Sequence, residues 1–253
     1  MHPAIKQLVV GTPVEPLARW ALRAVRAGNP LRRSAQDQRR TIAIAKRILR
    51  RDSNCVDVGS SYGDFLAVFL KRAPEGHHFA FEPVPASAAL LRQRYPSVQV
   101  FEMALSDSTG EGVFQHVVTD PGYSGLLRRS YPRPDFQVEA VPVRIDKLDN
   151  VLPAGIRVHL LKVDVEGAEL QVLRGATRTL QQSHPYVLFE HGAGAADHYG
   201  TTPEMVFDLL ADHDLDVRTL AAWLHGRPAM TRGEFVSEFG GGNCNYIAAP
   251  RTR

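Results

Sequence analysis

Four acidic side chains and a histidine stand where apolar runs of this sequence stop. Glu82 follows His78-Phe79-Ala80-Phe81, Asp164 and Glu166 follow Val158 to Val163, and Glu190 with His191 follow Tyr186-Val187-Leu188-Phe189. In an open parallel sheet, ligands gather beyond the carboxyl ends of the strands, so these positions would face a common cleft. An acid at the end of a second strand can accept hydrogen bonds from both hydroxyls of a ribose, and Glu82, 25 positions beyond Asp57, is so placed. A group of carboxylates with a histidine can take a proton from a weak acid or hold a divalent cation that lowers its pKa.

Upstream lies Asn54-Cys55-Val56-Asp57-Val58-Gly59-Ser60-Ser61-Tyr62-Gly63-Asp64-Phe65, a short apolar strand that breaks into a turn with two glycines and then a helix. A side chain at either glycine would obstruct tight turning or the approach of a ligand to the backbone, and the following helix offers unpaired N–H groups. The same pattern also occurs in purely structural turns. A dinucleotide fingerprint requires Gly-x-Gly-x-x-Gly against a pyrophosphate, whereas only Gly59 and Gly63 occur here, with Asp57 before them. S-adenosylmethionine carries no phosphate but does carry a sulfonium and an α-amino group, and both suit an acidic pocket. The surplus of acids favours the methyl donor.

These residues need strands and helices in alternation to hold them, and the sequence supplies that pattern. Strands are predicted at 54–58, 78–81, 98–101, 158–163, 186–189, 214–220 and 245–249, and helices at 63–73, through Ala88, Leu91 and Tyr95, at 168–180 and at 203–212. Segments 112–118 and 136–145 alternate apolar and polar residues, predicting an antiparallel excursion around the looser stretch 120–125, a candidate wall of the substrate site. Tyr123, His198 and Tyr199 lie on loops from which they could reach an acceptor or simply face solvent. Gly240-Gly241-Gly242 reads as a turn, because no helix follows it.

With 253 residues and 44% hydrophobic content, the chain can bury a full core as one α/β domain with appendages. No apolar run approaches the roughly 18–20 residues of a membrane span, and the N-terminus lacks a secretory pattern, so a cytoplasmic location is expected. Two cysteines, Cys55 and Cys244, without paired spacing argue against a disulfide framework or a structural zinc site. The net charge of +3 hides an asymmetry: residues 1–51 hold twelve Lys or Arg against two acids, and the remainder of the chain is net acidic, with 18 Lys or Arg against 25 acids. Within this basic arm, Val14, Leu17, Ala21 and Val25 recur at helical spacing, as do Ile42, Ala45 and Leu49 after a break near Gly28-Asn29-Pro30, so two amphipathic helices are predicted. Such an arm could bind a polyanion, cover the sheet or form a homodimer contact.

The chain resembles the FkbM-type S-adenosylmethionine-dependent methyltransferases over most of residues 54–249. The resemblance rests on Asp57 to Gly63, on Phe81-Glu82-Pro83, on Ala104-Leu105-Ser106-Asp107, and most specifically on Leu161-Lys162-Val163-Asp164-Val165-Glu166-Gly167-Ala168-Glu169. It implies a Rossmann-like class I sheet of seven strands whose last strand is antiparallel. The chain then divides into an arm at 1–51 and a methyltransferase domain at 52–253. The donor would be held by Asp57, Gly59, Ser60, Tyr62, Gly63, Glu82, Pro83, Ala104, Leu105 and Asp164. Of these, Gly59 and Tyr62 would lie against its methionine part, Glu82 against its ribose, and Ala104 with Leu105 near its adenine.

The family is similar in methylating hydroxyl groups of small molecules, often sugars or polyketides, so the implied activity is O-methylation of a carbohydrate acceptor. Asp164, Glu190 and His191 look like the divalent-metal site of catechol and macrolide-sugar O-methyltransferases, with magnesium or manganese expected. A histidine ligand would tilt the site away from magnesium toward manganese or zinc, or else His191 is the general base, a role for which Glu166 is the second candidate. Asp164 and Glu166 could alternatively satisfy a helix N-terminus. The Ala- and Arg-heavy composition hints at an actinobacterial glycan or glycolipid, but no motif selects a sugar. Methylation of RNA or protein through the arm is the competing enzyme reading, although Asp164-Val165-Glu166-Gly167 stands where nucleic-acid amine methyltransferases carry Asn/Asp-Pro-Pro-aromatic, so no specific nucleic acid is expected. A non-catalytic binding module with this fold is the third reading.

Overall fold

A computed structural model describes residues 28–129, 135–239 and 244–251. In chain order its elements begin with α1 (Gly28–Ile48), β1 (Cys55–Val58), α2 (Asp64–Arg72), β2 (His78–Phe81), α3 (Pro85–Arg94), β3 (Gln99–Phe101) and β4 (Ala104–Leu105). Then come β5 (Gly110–Val117), β6 (Val138–Asp146), α4 (Leu148–Val151), β7 (Leu160–Val163), α5 (Glu169–Arg174), α6 (Thr177–Ser183) and β8 (Tyr186–Glu190). The described chain closes with α7 (Pro203–Asp212), β9 (Leu215–Thr219), α8 (Leu220–Leu224), α9 (Arg232–Glu238) and β10 (Asn245–Pro250).

Seven strands form one sheet in the order β3-β2-β1-β7-β8-β10-β9. The β1–β2, β2–β3, β1–β7 and β7–β8 pairs are parallel, and β10 runs antiparallel to both β8 and β9. The expected class I architecture is therefore present. The predicted excursion is also antiparallel: β5 pairs with β6 from Gly110↔Ile145 to Val117↔Val138, and β4 joins them in a separate three-stranded sheet.

Every position of β1 and β2 is buried, as continuous apolar strands covered on both faces require. Alternation along the strands divides the core. Val56, Val58, Leu161, Val163, Val187 and Phe189 face a cluster with Leu170, Leu173 and Val206 from α5 and α7. Cys55, Ala80, Leu160, Leu188 and Ile247 face the other cluster, with Ile44, Ala45, Leu49, Leu66 and Phe69 from the α1 and α2 regions. By the same alternation, Asp57 and Lys162 belong to the α1/α2 side, and this parity brings them together below.

The predicted first arm helix lies outside the described residues, as does the turn at 240–242. The second is a single helix, α1, that starts at the predicted break. Asp37, Thr41, Ile44 and Ala45 line its inner face, with Leu49 buried just past its end, and Arg72 Nη2 donates to the Lys46 carbonyl at 2.9 Å to tie it to α2. The helix predicted over 168–180 is corrected: α5 and α6 are separate, with Gly175 and Ala176 between them. A Cβ at Gly175 would stand 2.1 Å from the Ser106 carbonyl oxygen, so the break admits the chain that follows β4. Cys55 and Cys244 are both free thiols. No helix among the described residues is long and apolar enough to cross a membrane.

Candidate active site

The turn after β1 is held by its own backbone. The amides of Gly59 and Ser60 both donate to the Phe81 carbonyl, at 3.0 and 3.2 Å, and Ser60 Oγ donates to the Asp57 carbonyl at 2.8 Å. Gly59, Ser61 and Gly63 have φ of +78°, +48° and +76°. The left-handed conformations call for glycine, and so do the neighbours. A Cβ at Gly59 would lie 1.9 Å from the Asp164 carbonyl oxygen, and one at Gly63 would lie 2.5 Å from the Tyr95 ring and 2.7 Å from Leu91. Space at these glycines is therefore consumed by β7 and α3. The turn's glycine content follows from protein packing before any ligand is considered.

Glu82 lies just past β2 and reaches across this turn. Its Oε2 accepts the Ser61 amide at 2.8 Å and its Oε1 accepts the Val84 amide at 3.0 Å, which leaves lone pairs on both oxygens. Only 5% of Glu82 is exposed, and burial pushes its pKa up to about 7 against the pull of the two amides. Pro83, Ala104 and Leu105 are buried beside it in sequence or in β4, whereas Tyr62 is half-buried and its carbonyl accepts from Arg94 at 3.4 Å.

Asp57 is not free to greet a ligand by itself. Lys162 Nζ stands 3.2 Å from Asp57 Oδ1 and 3.3 Å from Asp164 Oδ2, with the Phe65 ring centroid 5.3 Å away. Parallel pairing of β1 with β7 sets Asp57 directly opposite Lys162. Burial outweighs the lysine's attraction at Asp57 and raises its pKa, while two carboxylates outweigh burial at Lys162 and raise its pKa too.

Beyond β7 and β8, one oxygen each from Asp164, Glu166 and Glu190 lie within 4.8 Å of one another, and all three residues are half-buried. Glu166 reaches this position through a left-handed backbone, φ +60°, followed by Gly167 at φ +114°. Burial and the facing charges of Glu190 and Asp164 lift the Glu166 pKa well above the usual carboxylate range, although Arg129 opposes this. Burial and Asp164 raise Glu190 to about 8, against a hydrogen bond from Cys244.

His191 stands apart from this group of carboxylates. The metal-competent trio among the described residues contains Glu166 where the sequence reading put His191. The imidazole is 1% exposed, stacked on Phe235 at 5.8 Å and close to Phe239 at 4.9 Å between ring centroids, and neither ring nitrogen has a hydrogen-bond partner. Burial lowers its pKa to about 4, so it is neutral near pH 7. Side chains alternate along the strand, so Glu190 faces the carboxylates while His191, with the parity of Val187 and Phe189, faces the aromatic core.

The sequence reading missed four participants. Lys162 carried a signal, a lone cation inside an apolar strand. Glu169, 1% exposed, accepts the amides of Val165 and Gly167 at 3.1 and 3.0 Å through one oxygen. Cys244 comes from the start of the last strand. Arg129 had no local signal, since it arrives from the excursion 37 residues before Glu166 and bonds it at 3.1 Å. It also donates to the carbonyls of Gly122 and Tyr123, at 2.9 and 3.4 Å, so the loop expected to wall the site is fastened to the carboxylate group. Tyr199 meets the same loop, accepting the Leu127 amide at 3.1 Å.

A family model described as a methyltransferase FkbM domain matches residues 57–216. Methyltransferase 1 of Beauveria bassiana is 30% identical over 145 residues, covering 49% of this chain and 58% of that protein. The 2-O-methyltransferase NoeI of Sinorhizobium fredii is 29% identical over 150 residues, covering 52% of this chain and 60% of that protein. This chain thus spans about three-fifths of the length of these two curated relatives. A solved FkbM methyltransferase from Methylobacillus flagellatus shares the fold with a TM-score of 0.50 at 15% identity, covering 79% of this chain and 44% of that one.

Proposed function

The chain belongs to the FkbM methyltransferase family, and from that premise we propose that it is an O-methyltransferase that uses S-adenosylmethionine to methylate a hydroxyl of a carbohydrate acceptor, assisted by a divalent cation. The observation that carries this reading is the junction at Asp164. Its carbonyl abuts Gly59 of the donor-side turn, and its carboxylate stands with Glu166 and Glu190 on the acceptor side. A donor on one side and a hydroxyl on the other would therefore meet at one residue.

The acid balance suits a cationic donor. Burial, the largest cause at each, raises the pKa values of Asp57, Glu82, Glu166, Glu169 and Glu190, and the mutual repulsion of carboxylates adds to it. S-adenosylmethionine, when bound, supplies a methyl group on a positively charged sulfur. Glu82 would use its remaining lone pairs on the ribose hydroxyls, the Gly59–Tyr62 turn would receive the methionine end, and Ala104 with Leu105 would border the adenine. Lys162 holds Asp57 and Asp164 in place across the two halves of the site.

The acceptor needs a base, because an alcohol is about as weak an acid as water. A carboxylate of the trio would take the hydroxyl proton. The same three side chains form an all-oxygen donor set, which suits magnesium or manganese, and without a histidine the argument for zinc falls away. A cation there would hold the acceptor oxygen and lower its pKa. His191 has no part in the proposal. The hydroxyl specificity is supported by the relative NoeI, a 2-O-methyltransferase, and a sugar acceptor by the family resemblance.

Incubation with labelled methyl donor and a panel of hydroxylated glycans, with magnesium or with chelator, tests the reading. Label in a glycan only when magnesium is present is expected. Failure of S-adenosylhomocysteine to bind in calorimetry would overturn the methyltransferase reading, and full turnover under chelation would overturn the metal.

A further inference from the structure

Glu169 is a buried carboxylate that the proposed chemistry does not use. It sits at the first position of α5, yet it is 1% exposed and does more than face a helix end. Its Oε1 accepts both the Val165 amide at 3.1 Å and the Gly167 amide at 3.0 Å, the two N–H groups that flank Glu166. Between those amides Glu166 adopts φ +60°, a left-handed conformation that a residue with a side chain keeps only where its surroundings impose it. Gly167 is wedged from the other side, since a Cβ there would lie 2.5 Å from the Ala195 carbonyl oxygen. The Asp164 end is fixed as well, by its amide on the Val58 carbonyl at 3.0 Å.

We infer that Glu169 is a positioning residue: by holding the amides of Val165 and Gly167, the residues on either side of Glu166, it keeps Glu166 left-handed, so that the Glu166 carboxylate joins Asp164 and Glu190. This rests on the reading of those three side chains as the cation-binding group. A relaxed backbone would swing Glu166 out of the group and leave two carboxylates, one of them on Lys162. Groups that orient metal-binding side chains characteristically govern affinity by about 10–100-fold.

The experiment uses the full chain, its Glu169→Gln and Glu169→Ala variants, and manganese ion alone as probe. Glutamine retains a carbonyl oxygen able to accept both amides, and alanine does not. Amide hydrogen exchange, read by mass spectrometry on peptides covering 164–168 and 169–174, should show faster exchange in 164–168 for Glu169→Ala, with 169–174 unchanged and protection restored in Glu169→Gln. Manganese titration followed by electron paramagnetic resonance should show affinity reduced about 10–100-fold in Glu169→Ala and within about threefold of the original in Glu169→Gln. Unchanged exchange at 164–168 in Glu169→Ala overturns the inference, as does equal loss across 164–174, which would make Glu169 a support of α5 only. Absence of manganese binding by the unsubstituted protein would remove the proposed cation site, and the exchange data alone would then decide the role of Glu169. Calorimetry with S-adenosylhomocysteine separates both from the donor-binding reading, because the variants should match the original.

Discussion

Replacing Lys162 with methionine should expose how much the ionic bridge between the two halves of the site contributes. The side chain of Asp57 is 1% exposed and that of Lys162 12%, so the substitution leaves a carboxylate inside β1 with its cation removed. Removing one partner of a buried pair costs about 3–5 kcal/mol. In a domain of this size each kcal/mol moves Tm by about 2–4 °C, so Tm at pH 7.5 should fall by roughly 6–20 °C. The pH dependence is informative. Burial already raises the Asp57 pKa, and loss of Lys162 raises it further. Stability from such a group is present in full below the unfolded pKa, about 3.9, and is lost as pH rises through the folded value. The deficit of Lys162→Met should therefore be larger at pH 7.5 than at pH 4.5. Asp57→Asn combined with Lys162→Met should recover much of it, since an amide leaves no charge behind. Urea unfolding followed by circular dichroism at the two pH values measures all of this. An unchanged Tm for Lys162→Met at pH 7.5, or a double variant no more stable than the single one, would refute the reasoning.

Other perturbations test separate parts of the site. Gly59→Ala introduces a Cβ 1.9 Å from the Asp164 carbonyl oxygen in a left-handed residue, and should abolish S-adenosylhomocysteine binding in calorimetry or prevent soluble expression; near-native affinity would contradict the packing described. His191→Phe removes two unpartnered buried nitrogens from an aromatic setting and should leave the fold as stable or stabilise it by about 1–2 kcal/mol, with manganese affinity unchanged. A large loss of manganese affinity would return His191 to the cation site. Glu190, raised to about 8, holds its proton in the folded state well above the unfolded glutamate value, so its contribution to stability is present at pH 4 and is lost as pH rises through 8. Glu190→Gln should therefore flatten the fall of Tm between pH 5 and pH 8.5, and an identical slope would show that Glu190 titrates normally.

Local rules carried far in this chain. The strand-to-helix turn at 57–63, the acids at strand ends and the alternation in 112–118 and 136–145 all appear in the structure, because turn chemistry and side-chain periodicity depend on near neighbours. The single helix expected over 168–180 failed at Gly175 for a reason seated elsewhere, the Ser106 carbonyl that occupies its Cβ space. At His191, alternation along β8 sets it on the side of Val187 and Phe189, opposite to Glu190, and Phe235 and Phe239, more than forty positions away, supply the rings that surround it there.

The amino-acid sequence by itself determined the alternation of elements, the antiparallel final strand implied by family resemblance, and which strand ends carry acids. Only the tertiary structure decided which charges answer one another. Lys162 meets Asp57 across 105 residues because β7 lies beside β1 in one register, and Arg129 meets Glu166 because the excursion folds back over the cleft. Electrostatic energy depends on distance and burial in space, and neither is written in sequence separation.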